Sequence, residues 1–151
     1  VLTETLGFIN LIGAGLLAGE ELMIRYGVRG PLAGLDPRPH ILLRQALIRR
    51  LRVLVPSLFG TTLLSGIAAT ALLGFGPGFA LRCAGLAALL AFICVTLAGT
   101  VPINQAALAW DAAAPPDGWR ATIRRWEQLD DIRTWAALVA FALLLAAAMA
   151  R

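Results

Sequence analysis

Four long apolar runs constrain this chain more than any other feature. They lie at about residues 6–24, 53–73, 79–101 and 132–150. A helix that crosses a bilayer needs about 20 mostly apolar residues, and each run supplies roughly that number. Composition agrees: 59% of the residues are hydrophobic and 15% are charged, against about 45–50% and about 25% in soluble domains. Small residues recur within the runs, at Gly13, Gly15, Gly19, Gly60 and Gly66, where close helix approach is needed in lipid. No basic segment precedes the first run, so it is expected to be a retained helix rather than a cleaved signal. The expected fold is all-α: one membrane domain, a four-transmembrane-helix bundle running up-down-up-down.

The connections set an expected orientation. "GFGPGF", residues 74–79, reads as a tight turn. The stretches around the other two links hold most of the thirteen basic residues, all arginine. Only Arg82 and Arg151 lie at the opposite end. The positive-inside rule then places both arginine-rich links in the cytoplasm and both termini outside. In "LDPRPHILLRQ", Asp36 is a candidate N-cap with Pro37 at the first helical position. In "PPDGWRATIRRW" a helix is expected from Asp117. Helices 2 and 4 should therefore extend past the membrane as a cytoplasmic cap.

Polar side chains gather at that end. Glu20 and Glu21 close the first run, Arg44, Arg49 and Arg52 open the second, and Asn104 and Gln105 come after the third. Trp126, Asp130 and Arg133 share a helix face at the start of the fourth, with Trp119 and Ile123 farther out. Charges inside a membrane normally face the bundle and find partners. Adjacent helical residues differ by about 100°, so Glu20 and Glu21 cannot both face inward. Glu21 and Arg25 have the i, i+4 order of a local pair, which leaves Glu20 as the inward carboxylate. The expected result is a pocket for a lipophilic small molecule, open toward the cytoplasmic leaflet.

Each of these residues also has a plainer reading. Glu20 with an arginine would fix helix order, and Asp130 with Arg133 would be a local pair. Trp110 and Trp135 would form an interfacial belt, and His40 would cap or solvate a helix. Cys83 and Cys94 read as buried small apolar residues, with no spacing for a disulfide or metal. Phosphate-loop and dinucleotide signatures are absent, and the arginines sit at membrane ends rather than on a nucleic-acid-binding face. No metal-ligand spacing stands out, although Glu20, His40 and Asp130 are the residues from which a copper or iron site would be built. A homo-oligomer is neither required nor excluded.

The motifs "VPINQAALAWD" and "GWRATIRRWEQLDDIRT" resemble the anthrone oxygenase-like family of small four-span membrane proteins. Asn104 and Trp110 match its third-span motif, and Trp126 and Arg133 match its W-x3-H-x2-R run. Asp130 stands where that family usually has His. The resemblance implies oxidation of anthrones to anthraquinones by O2 as co-substrate, without flavin or haem. It implies a carboxylate base, Glu20 or Asp130, a cation or donor for the enolate, from Arg44, Arg49, Arg133 and Asn104, and a stacking surface, from Trp126 and Trp119. Asp is ordinarily a weaker base than His, with a pKa of about 3.9 against about 6.5. A membrane cyclase or isomerase using carboxylate acid–base chemistry is therefore the alternative, and a non-enzymatic membrane binding or structural protein the second.

Overall fold

The computed structural model describes residues 1–150, so Arg151 lies outside the described residues. The described residues form four helical rods and no strand: α1 (Leu2–Ala33), α2 (Pro37–Leu73), α3 (Phe79–Leu108) and α4 (Trp119–Met149). Each is long and apolar enough to cross a membrane, and the chain is a multi-pass membrane protein. Neighbours around the bundle are α1 with α2, α2 with α3, α3 with α4, and α4 with α1.

Every rod overruns its apolar stretch. At about 1.5 Å per residue, the 37 residues of α2 span about 55 Å, well beyond the ~30 Å hydrocarbon core. Helix α3 continues to Leu108, so Asn104 and Gln105 lie on it rather than after it. Asp36 caps α2 as expected, though its side chain makes no capping hydrogen bond. Helix α4 begins at Trp119, not Asp117. Its N-cap is Gly118, at φ 77°, a conformation other residues adopt only with strain.

Two rods are interrupted by a wide π-helical turn, Met23–Val28 in α1 and Thr96–Thr100 in α3. A proline lies beyond each one, Pro31 and Pro102. A proline cannot donate to the carbonyl four residues back, which here is Gly27 or Ala98, inside the wide turn.

The core holds Leu17, Val55, Leu89, Phe92, Ala137 and Ala140. Glycines set the close crossings: a Cβ on Gly13 would overlap Thr62 Oγ1, and one on Gly85 would lie 2.8 Å from Leu144 Cγ. Asn10 Nδ2 donates to the Thr62 carbonyl at 2.7 Å. At the α2–α3 turn, Arg82 folds back and donates to the carbonyls of Pro77 (3.0 Å) and Gly74 (2.9 Å). Large apolar residues such as Phe8, Leu64, Leu90 and Trp135 face outward, as lipid contact requires. Cys83 and Cys94 are free and exposed, not buried. Eleven residues is about three turns, so they share the outward face of α3.

Candidate functional site

At the arginine-rich end the four rods enclose a cavity of about 430 Å³, within the ~300–1,000 Å³ range of small-molecule sites. The position of each wall residue is set by helical phase. On α2, His40, Arg44, Ile48, Leu51 and Val55 form one stripe facing inward, with the exposed Arg52 at its rim. Arg49 lies about 140° from Arg44 around the helix and is exposed, so it does not join the site. Both wide turns border the cavity, through Ile24 and Val28 on α1 and through Thr96, Leu97 and Thr100 on α3. Asn104 and Gln105 extend the α3 wall, and Trp126, Glu127, Asp130 and Arg133 form the α4 wall.

The two glutamates divide in an unexpected way. Glu21 is the more deeply buried, 1% exposed. It does not pair with Arg25: its Oε1 accepts from Arg133 Nη2, and Thr134 Oγ1 lies 3.5 Å from its Oε2. Arg25 instead pairs with Asp131 across the helix interface. The wide turn beginning at Met23 removes the α-helical register that would stack residue 25 over residue 21. Arg29 extends the α1–α4 zipper, lying 3.9 Å from Glu127 and 3.5 Å from Asp130 and also pairing with Asp131. Asp130 is 3.6 Å from Arg133, so the local pair exists but sits within a larger network. Glu20 lines the cavity and has no ion-pair partner among the described residues; its Oε2 is buried without a hydrogen bond. It therefore faces the cavity as expected, but it is not the sole inward carboxylate, since Glu21 is buried too, and it does not pin helix order.

Several other polar atoms around the same cavity are buried without a hydrogen bond: His40 Nε2, Arg44 Nε, Asn104 Oδ1, Trp126 Nε1 and Arg133 Nε. Natural proteins leave few such groups, and gathering them around one cavity leaves them free for a ligand. His40 is 4% exposed, so it is not solvated, but it does cap a helix, bonding a carbonyl in the last turn of α1. Its Nδ1 lies 2.8 Å from the Leu32 carbonyl. A carbonyl can only accept, so Nδ1 carries the hydrogen and Nε2 of the neutral ring carries the lone pair.

Arg44 is 6% exposed and makes no ion pair or hydrogen bond among the described residues. Its guanidinium lies over the Trp126 ring, 4.6 Å from the centroid. Such stacking contributes about 0.5–2 kcal/mol, whereas burying an ion costs several kcal/mol. The stack alone does not offset the burial.

Besides the outward-facing Trp135, two more tryptophans lie outside the cavity. Trp119 packs edge-on against His40 at 5.1 Å and joins Ile41 and Ile123 in a second apolar cluster, against which Trp110 rests. That cluster closes the end of the site rather than lining it. Gln45, to which its sequence context gave no role, holds the end of α3 by donating to the carbonyls of Ala107 and Trp110, each at 3.0 Å. Arg29, Glu127 and Asp131 were also missed. The reciprocal spacing of Arg25 and Arg29 against Glu127, Asp130 and Asp131 was the available signal. Among the described residues, no group of three His, Cys, Asp or Glu side chains is placed to hold a metal ion, so Glu20, His40 and Asp130 are not brought together as ligands.

A family model described as anthrone oxygenase matches residues 45–143 of the chain. No curated protein and no solved structure matches it.

Proposed function

The chain belongs to the anthrone oxygenase family, and from that premise we propose that it is a small membrane enzyme that oxidises the activated CH2 of a flat, lipophilic, anthrone-type aromatic to a ketone with O2. The observation that carries this reading is the apolar cavity with its concentration of unpartnered acceptors and donors. The reaction needs a base, a holder for the enolate oxygen and exclusion of water.

Glu20 is the base. It has no ion-pair partner to lose, and proton uptake there removes a charge from an apolar site. Uptake by His40 would add a cation one turn from Arg44. The resulting enolate oxygen is held by Trp126 Nε1–H, the Asn104 amide and Arg133. The electron-rich carbon then reacts with O2: one oxygen atom becomes the new carbonyl and the other leaves as water, with both CH2 hydrogens. No flavin, haem or metal takes part in this scheme. His40 Nε2 accepts a hydrogen bond from a substrate hydroxyl. Asp130, at the position of the family's usual His, is held between Arg29 and Arg133 and orients the α4 wall. The arginine-rich end faces the cytoplasm, with the outer turns of α2 and α4 as a cap, and substrate enters sideways from the leaflet.

The test is oxygen uptake by detergent-purified protein given emodin anthrone under 18O2, with mass spectrometry of the product. Uptake above the uncatalysed rate with one 18O atom in the quinone supports the reading. An isomeric or cyclised product with no uptake replaces it with carboxylate acid–base catalysis, which the unpaired Glu20 also suits.

A further inference from the structure

Buried arginines in this fold otherwise find partners. Arg133 bonds Glu21, and Arg82 donates through both Nη atoms to two turn carbonyls. Of the arginines around the cavity, Arg29 and Arg133 face carboxylates, and Arg52 is exposed. Arg44 is the exception: it is buried against the cavity and, unlike Arg82 and Arg133, whose Nε atoms are also unpartnered, it makes no hydrogen bond or ion pair at all among the described residues. Its planar fork is held in place by the Trp126 ring beneath it. A fixed guanidinium with free donors matches the geometry of a carboxylate.

We propose that the ligand of this cavity carries a carboxylate on its aromatic body, and that Arg44 is the side chain that receives it. The inference rests on reading the cavity as the substrate site, and it narrows the substrate class from neutral anthrones to aromatic acids. The Trp126 ring and the apolar wall of Ile48, Leu51 and Val55 suit a flat body. Glu127 and Asp130 on the opposite wall disfavour a dianion such as a phosphate monoester, so the head is a monoanion. His40, one turn before Arg44, offers its Nε2 lone pair to the same ligand. A hydroxyl near the carboxylate would satisfy both side chains.

The experiment compares anthraquinone-2-carboxylate with anthraquinone-2-carboxamide, binding to the full chain in detergent by tryptophan quenching. Both are already oxidised, so binding is read without turnover. Failure of the oxygen chemistry would appear in the uptake assay and not here. The acid should bind about tenfold or more tighter than the amide. Arg44→Gln should abolish that preference, so that acid and amide bind the variant within about twofold of each other. Arg44→Lys should keep part of it, because charge remains but the fork is lost. Equal affinity of acid and amide for the unmodified chain would overturn the proposal without any variant. So would an acid preference that survives Arg44→Gln. Phospholipid analysis of the same samples separates the other source of an anionic head: if anionic lipid is retained by the unmodified chain and lost in Arg44→Gln, with no acid preference, the seat is a lipid site and the proposal fails.

Discussion

The Glu21–Arg133 pair gives the sharpest quantitative expectation. Glu21 and Arg133 are both buried, 1% and 6% exposed, and they tie α1 to α4. Removing one partner of a buried pair typically costs about 3–5 kcal/mol, because the other charge is left uncompensated. The two halves are not equivalent here. In Glu21→Gln, Arg133 still has Asp130 at 3.6 Å, so the loss should sit near the lower bound, about 3 kcal/mol. In Arg133→Met, Glu21 keeps only Thr134, at 3.5 Å, and Asp130 keeps only Arg29, at 3.5 Å. That loss should approach the upper bound, about 4–5 kcal/mol. The double variant removes both charges and leaves Asp130 to Arg29, so it should cost no more than Arg133→Met alone. The coupling energy is then about 3 kcal/mol.

Unfolding in mixed micelles with increasing SDS, monitored by circular dichroism, measures all four corners of the cycle. A Glu21→Gln cost below about 1 kcal/mol, or additivity within about 0.5 kcal/mol, would refute the reasoning. It would mean that water or the other carboxylates already screen Arg133. The cycle also bears on function. A glutamate that holds two helices together and a glutamate that takes a proton are one residue apart, and only the first should register as stability.

Glu20→Gln should therefore unfold at the same SDS fraction as the unmodified chain while losing about 10²–10⁴-fold in turnover of emodin anthrone; normal turnover would remove Glu20 as the base. Gly13→Ala should destabilise by about 1–3 kcal/mol, since its Cβ would overlap Thr62 Oγ1 at the α1–α2 crossing; an unchanged unfolding curve would show that the crossing is loose. With Cys83 and Cys94 replaced by Ala, a new cysteine at Ala113 should react with a membrane-impermeant maleimide only from the cytoplasmic face, and one at Gly76 only from the other; the reverse pattern would invert the proposed orientation. Trp126→Leu should lower both affinity and turnover, because it removes a buried donor and the surface beneath Arg44; loss of affinity alone would leave the enolate without that donor's help.

The four spans were legible because lipid exposure leaves a plain mark: about twenty apolar residues with few charges. The helix ends were not, because a helix does not stop where apolarity stops. Helix α1 runs past Arg25 and Arg29 to Ala33, and those charges are tolerated there because α4 presents Glu127, Asp130 and Asp131 to them. The inward stripe of α2 could be read from spacing alone; counting turns from Arg44 would have excluded Arg49. The roles of the glutamates could not be read that way. Their assignment assumed an unbroken α-helical register from residue 21 to residue 25, and the wide turn at Met23–Val28 breaks it.

The two wide turns and the prolines behind them explain why the cavity exists where it does. A straight helix presents close-packed ridges, and four of them would fill this end of the bundle as the core residues fill the middle. Each wide turn widens its helix and shifts the phase of the residues beyond it. One lies on α1 and the other on α3, and both border the same cavity. Pro56 adds a third irregularity on the α2 wall. Three of the four helices thus carry an irregularity beside one cavity, and apart from Arg82 Nε the buried side-chain atoms without hydrogen-bond partners belong to residues that line it. If the turns served only to bend helices around the core, the phase-shifted side chains beyond them would be satisfied locally. Instead, Asn104 beyond the turn in α3 is left with a buried, unpartnered oxygen. The irregular backbone and the unsatisfied side chains are two sides of one arrangement, a space kept open for a ligand.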